Sequence, residues 1–126
     1  KKTMFREKML AAPPFMEETI AMVREVAEQF PLAVVSSSGR EEIEPPIAAV
    51  GIRECFQTLV CGLEAGRLKP APDPYLMAAE RLKARLPLVV EDSEAGENSA
   101  RAAGFDVVRV KLAEEVPEAV RRAIWR

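Results

Sequence analysis

Glu91 and Asp92 stand side by side at the end of an apolar run, Leu86 to Val90, that is broken by one proline. Adjacent carboxylates at the tip of a buried strand suit a hard cation such as Mg²⁺, which takes oxygen ligands and keeps several waters. The two acids repel each other and a dication relieves that repulsion, so without metal at least one of them is expected to have a raised pKa. Upstream, Lys69 lies in the run LKPAPDPY and could supply the positive charge that a phosphate needs. The prolines around it hold the loop with little entropy left to lose. Ser36 ends the run AVVS and is followed by Ser37, Ser38 and Gly39. Its hydroxyl could bond a phosphate oxygen, helped by the backbone N–H groups of Ser37 and Ser38, because small residues let amides approach an anion.

Each of these residues also has a plainer use. Asp92 could cap the following helix, Glu91 could be a solvated strand-end acid, Lys69 a surface lysine, and the serines ordinary turn formers. Two acids in a row tip the balance toward a cation, and the proline-framed loop tips Lys69 toward function. Asp73 reads as a helix cap and Arg40 as a solvated arginine rather than a substrate contact. Met4, Met9, Met16 and Met22 read as core or junction residues, Cys55 and Cys61 as small core residues, and Trp125 as a packing anchor.

These residues need strands to deliver them and helices to cover those strands. Glu17 to Phe30 carries apolar residues at Ile20, Val23, Val26, Ala27 and Phe30, a helical stripe that Pro31 ends. Leu32 to Ser36 is a short buried strand. Pro45 and Pro46 fall in the next apolar segment, and proline inside a helix costs about 3 kcal/mol. A helix starting near Glu44 or Pro45, after a turn, is therefore expected, ending at Gly51. Phe56 to Cys61 is a strand, and 62–72 a loop carrying Lys69. Asp73 is the expected N-cap, with Pro74 at the first helical position, of a helix to about Ala84 with Leu76, Ala79 and Leu82 inward. Leu88 to Glu91 is a strand, Ser93 or Glu94 opens a helix ending at Gly104, Phe105 to Val110 is a strand, and Val116 to Trp125 a helix. Strands alternating with helices predict an α/β fold, a Rossmann-like parallel sheet with helices on both faces.

The 126 residues hold no histidine, which excludes Ser-His-Asp and Cys-His chemistry and every His-ligated zinc site. Acid–base work then falls to carboxylates, Lys, Tyr or Cys. The net charge of −2 gives no basic footprint, so no nucleic acid is expected as a partner. No apolar run has the length of a membrane span, so no membrane is expected either. Two cysteines make neither a zinc motif nor a disulfide framework, and the reading is a reducing, cytoplasmic setting.

Taken together, the residues resemble the haloacid dehalogenase superfamily, in its β-phosphoglucomutase- and phosphoglycolate phosphatase-like branch. Ser36 in AVVSSS matches that family's second motif, Lys69 in KPAPDPY its third, and Glu91-Asp92 in VVEDSEAG its fourth. The resemblance implies a Mg²⁺-dependent phosphatase or phosphomutase acting on a small phosphorylated metabolite. In that chemistry an Asp nucleophile forms an aspartyl-phosphate and a second Asp serves as acid and base. Ser36 and Lys69 would act in catalysis, Ser36, Ser37, Ser38 and Lys69 would bind substrate, and Asp92 and Glu91 would hold the metal. The family's first motif, D-x-D, occurs nowhere in this sequence, whose only aspartates are Asp73, Asp92 and Asp106. The strand bearing it is the first and central one of the family's sheet. The chain is thus expected to be the C-terminal core (13–126) behind a remnant of a cap or linker helix (1–12). It would be inactive alone, with a missing N-terminal segment or second chain completing the sheet. A non-catalytic regulatory or assembly module that lost the first motif is the alternative. A dehalogenase fits the loop and acid pair less well, and a receiver-type phospho-acceptor would have its acids before the lysine.

Overall fold

The computed structural model describes residues 17–125. The expected cap remnant at 1–12, and Met4, Met9 and Met16, lie outside the described residues. Helices and strands follow in the order α1 (Glu17–Ala27), β1 (Ala33–Ser36), α2 (Arg40–Ala49), β2 (Thr58–Cys61), α3 (Asp73–Leu82), β3 (Leu88–Glu91), α4 (Glu94–Ala102), β4 (Asp106–Arg109) and α5 (Val116–Ile124). Single 3₁₀ turns at Arg53–Cys55 and Ala113–Glu115 precede β2 and α5.

The expected parallel α/β architecture is present, as two separate two-stranded ladders. β1 pairs with β2 from Ala33↔Thr58 to Ser36↔Cys61, and β3 with β4 from Leu88↔Asp106 to Glu91↔Arg109. Bonds continue past the strands from Gln57 N–H to the Leu32 carbonyl and from Gly62 N–H to that of Ser36. The backbone groups of Ala33 and Val35 therefore point to the other edge of β1, away from β2. Likewise Val110 N–H bonds the Glu91 carbonyl, which leaves Leu88 and Val90 to turn their backbone groups away from β4.

Side-chain alternation along the strands feeds two cores. Val34, Leu59, Cys61 and Val90 pack on one face with Met22, Val23 and Val26 of α1, Ile47 of α2 and Val120 of α5. Val35, Val89 and Val107 pack on the other with Tyr75 of α3 and Ala100 of α4. Each core draws on both ladders, so helices cover both faces and bind the ladders into one layer. Full burial of a side chain such as Leu59, 1% exposed, stabilises by roughly 1.5–3 kcal/mol. The Trp125 ring packs 6.0 Å from that of Phe30, just past the end of α1, and both rings stay partly exposed. Cys61 is buried and Cys55 half-buried against the first core.

Three local expectations are corrected. Helix α2 begins at Arg40 and carries Pro45 and Pro46 inside it. Its start is fixed from outside: the Arg40 guanidinium bonds both Glu64 carboxylate oxygens, at 2.9 and 3.0 Å, and the Leu59 carbonyl at 2.9 Å. Tertiary bonds thus override the proline signal. In α3 the Pro72 carbonyl takes the first helical bond, from Leu76 N–H at 3.0 Å, so Pro72 rather than Asp73 is the N-cap. The Asp73 carboxylate pairs with Arg67 instead, at 3.0 Å. The buried stripe of α3 is Pro74, Tyr75, Ala78 and Ala79, while Leu76 is 47% exposed. The helix ends at Leu82, where Lys83 takes a left-handed φ of 57°.

Candidate active site

The loop before α3 is pinned before its lysine does anything. Ser99, fully buried on α4, donates its hydroxyl to the Ala71 carbonyl at 2.6 Å. Ala71 N–H closes a turn on the Leu68 carbonyl at 3.0 Å, and the Lys69–Pro70 peptide is cis. From this anchored loop the Lys69 side chain, only 11% exposed, reaches across the strand tips. Its ammonium donates to the Val35 carbonyl at 3.0 Å, on the edge of β1 that β2 does not use. It also donates to Glu91 Oε2 at the tip of β3. One buried cation therefore ties the first ladder to the second.

Glu91 is 6% exposed and gathers three donors. The Tyr75 hydroxyl joins Lys69 on Oε2, and the Ser93 hydroxyl reaches Oε1 at 3.2 Å. Ser93 does double duty, accepting the Gly96 N–H at 3.0 Å as N-cap of α4. The Glu91 carboxyl lies directly against Gly96, where a Cβ would collide with it. Burial alone would raise the Glu91 pKa, but the bonds from Lys69 and Tyr75 outweigh it and hold it below the usual carboxylate range. For Glu91 the raised pKa expected from repulsion within the acid pair is therefore not found; the shift is downward. Burial, and then the bond to Glu91, push the Tyr75 hydroxyl up, so it stays a donor at neutral pH. The Tyr75 ring also flanks the cation, 5.2 Å from the ammonium to the ring centroid.

Asp92, one residue past the end of β3, is exposed. Ser36 is half-buried at the tip of β1, next to the carbonyl that Lys69 holds. Its Oγ accepts the Ser38 N–H at 3.1 Å, which occupies that amide, while Ser37 is exposed. Arg40 neither contacts a site group nor floats in solvent; it is bound to Glu64. Lys69 and Glu91 are thus brought together, Ser36 adjoins them, and Asp92, Ser37 and Ser38 lie at the rim. No cluster of three or more acids, cysteines or histidines able to hold a metal occurs among the described residues. No described helix is long and apolar enough to cross a membrane.

Tyr75 and Gly96 have no role in the sequence reading. Tyr75 ends the quoted run KPAPDPY, and the signal available for it was an aromatic hydroxyl in the first turn of a helix next to the lysine loop. Gly96 is a glycine inside a helix, where it costs about 1 kcal/mol relative to alanine. Such a residue marks a close approach, here that of Glu91.

Known proteins extend this picture. A family model described as haloacid dehalogenase-like hydrolase matches residues 2–110. The chain is 42% identical over 83 residues to the bifunctional riboflavin kinase/FMN phosphatase of Arabidopsis thaliana, covering 64% of this chain and 22% of that protein. It is 37% identical over 84 residues to fructose-1-phosphate phosphatase YqaB of Escherichia coli (strain K12), covering 65% and 45%. Among solved structures, CbbY from Rhodobacter sphaeroides in complex with phosphate superposes with a TM-score of 0.68 at 25% identity, over 74% of this chain and 44% of that one. The chain spans less than half the length of either curated relative.

Proposed function

This chain belongs to the haloacid dehalogenase-like hydrolases, and from that premise we propose that it carries the phosphate- and metal-holding part of a Mg²⁺-dependent phosphoryl-transfer site. The enzyme would be a phosphatase or phosphomutase acting on a small phosphorylated metabolite. The observation that carries this reading is Lys69. A nearly buried ammonium stands at the C-terminal ends of two parallel strands, where open α/β sheets receive ligands. An ammonium has three N–H donors. Among the described residues two are given to Val35 and Glu91, which leaves one for a phosphoryl oxygen. The phosphatase names of the relatives point the same way.

In this reading Lys69 binds the transferring group and offsets the charge on its oxygens. The Ser36 hydroxyl accepts from Ser38 and keeps its own proton to donate to a second oxygen. Exposed Ser37 adds a backbone donor at the rim. The oxygen donors fit Mg²⁺ in kind: Asp92 is an open carboxylate at the strand tip, and Glu91 is its neighbour. Asp92 would hold the ion first, with Glu91 second, since the Glu91 oxygens already serve three donors. Bound there, Mg²⁺ would supply further neutralisation of phosphoryl charge.

The absence of D-x-D from the sequence favours a second reading, a non-catalytic module that binds phosphate without turnover. Two measurements decide. Orthophosphate titrated calorimetrically into this chain should bind, more tightly with Mg²⁺ present, and Lys69→Met should abolish binding. A wild-type chain that does not bind orthophosphate overturns the proposal. Aryl phosphate hydrolysis should be absent for the chain alone and appear, Mg²⁺-dependent, when a strand bearing D-x-D is supplied. Asp92→Asn should remove it. No turnover under those conditions leaves the binding module as the correct reading.

A further inference from the structure

We infer that Tyr75 is a positioning residue of this site: its hydroxyl holds Glu91 turned inward onto Lys69, which keeps the ammonium in place for phosphate and leaves Asp92 alone facing solvent for a cation. The inference rests on the phosphate reading of Lys69 and goes beyond it in saying what sets the division of labour between two adjacent acids.

Glu91 has two places to go. Turned outward it would stand beside Asp92, and the two could share a cation. Turned inward it meets Lys69. Independent features select the inward pose. Tyr75 comes from the first turn of α3 and bonds the same oxygen, Oε2, that Lys69 bonds. Its ring face flanks the ammonium, so one side chain contacts both members of the pair. Gly96, from α4, offers the space the inward carboxylate occupies, and any larger residue there would collide with it. Glycine is otherwise a poor choice inside a helix. Ser93 takes the remaining oxygen, Oε1. Of these partners only Tyr75 touches cation and anion together, and its hydroxyl can be removed while the packing of its ring is kept.

The test is calorimetric titration of orthophosphate and of Mg²⁺, each alone, into the wild-type chain, Tyr75→Phe and Gly96→Ala. Tyr75→Phe keeps the ring and deletes one hydrogen bond to a charged group. Orthophosphate should bind about tenfold more weakly to it, the scale of one such bond. Mg²⁺ should bind at least as tightly as to wild type, because Glu91 is released toward Asp92. Gly96→Ala displaces the same carboxylate without touching the phenol and should give the same split of opposite sign. That variant decides the matter by the same criterion if Tyr75→Phe fails to fold. A parallel loss of both ligands is what simple loosening of the site would give, and it overturns the inference. So does unchanged orthophosphate affinity in Tyr75→Phe. If the wild type itself fails to bind orthophosphate, the reading of the site falls and takes this inference with it. Binding by wild type with no split in the variants removes the role of Tyr75 alone.

Discussion

In the β1–β2 ladder, Leu59, Val60 and Cys61 are at most 1% exposed, whereas in the β3–β4 ladder Leu88 is 43% exposed and Asp106 and Arg109 also face solvent. The first ladder is gripped by both cores, with α3 on one face and α1 and α2 on the other. The second also reaches both cores, through Val90 on one face and Val89 and Val107 on the other, and is braced by α4 and by a salt bridge between Arg109 and Glu97 at 2.7 Å. The chemistry divides along the same line. Hydroxyl and backbone donors stand on β1, carboxylates on β3, and Lys69 crosses from one to the other. A well-buried frame thus holds the neutral half of the site, and the lighter ladder holds the charged half. Among the described residues, a buried ion pair and not strand pairing ties the halves together at the strand tips.

Emptying the frame should cost most. Leu59→Ala removes a fully buried side chain from the first core and should lower stability by about 3–4 kcal/mol. Val107→Ala, half-buried in the second ladder, should cost no more than about 1.5 kcal/mol. Urea unfolding of both variants checks this, and equal losses would erase the contrast between ladders. Next comes the tie itself. Lys69→Met leaves Glu91 buried without its cation and should cost about 3 kcal/mol, since removing one partner strands the other charge. The double variant Lys69→Met/Glu91→Leu should recover part of that loss, and a double-mutant cycle measures the coupling. A purely additive cycle would mean that Lys69 does not hold the ladders together. Smaller again is the anchor of the lysine loop. Ser99→Ala leaves the Ala71 carbonyl without its donor and should cost about 1 kcal/mol. Its effect on orthophosphate affinity should exceed that of any change in the β4–α5 connection.

How much of this was legible beforehand depends on the range of the forces involved. The strands, the Ser36 tip, the Lys69 loop and the Glu91-Asp92 pair follow from local signals: β-branched runs, prolines and small residues at fixed places. The parallel α/β class follows from their alternation. Hidden were the features decided by contacts far along the chain. Arg40 starts a helix through two prolines because Glu64 and the Leu59 carbonyl hold it. Tyr75 faces inward where Leu76 was expected, because its ring packs with Val89 and Ala100 of the second core, while Ala79 is buried as expected. Nor could adjacency alone reveal that Glu91 and Asp92 live in opposite surroundings. That depends on Lys69 and Tyr75, which the LKPAPDPY run brings in from a separate stretch of sequence, and on Gly96 in the helix that follows the acids.

The smallest effect concerns the ion pairs that brace each ladder, and it sharpens the comparison through pH. On the first ladder the side-chain bond from Arg40, aided by the Cys61 N–H at 3.1 Å, holds Glu64 below its ordinary value of 4.5. On the second, bonds from Arg101 and then Arg109 do the same for Glu97. A carboxyl whose folded pKa is depressed contributes stability above its unfolded pKa and loses it as pH falls through the folded value. The difference in melting temperature between wild type and Glu64→Gln should therefore be constant from neutral pH down to about 5 and shrink below about 4.5. Glu97→Gln should show the same shape at lower amplitude, and salt should flatten it further, because its partners are the more exposed. Glu64 also takes a backbone N–H at the end of β2, so part of its contribution should survive salt. If salt removes both effects equally, Glu64 is only a surface charge, and the first ladder owes its firmness to apolar burial alone.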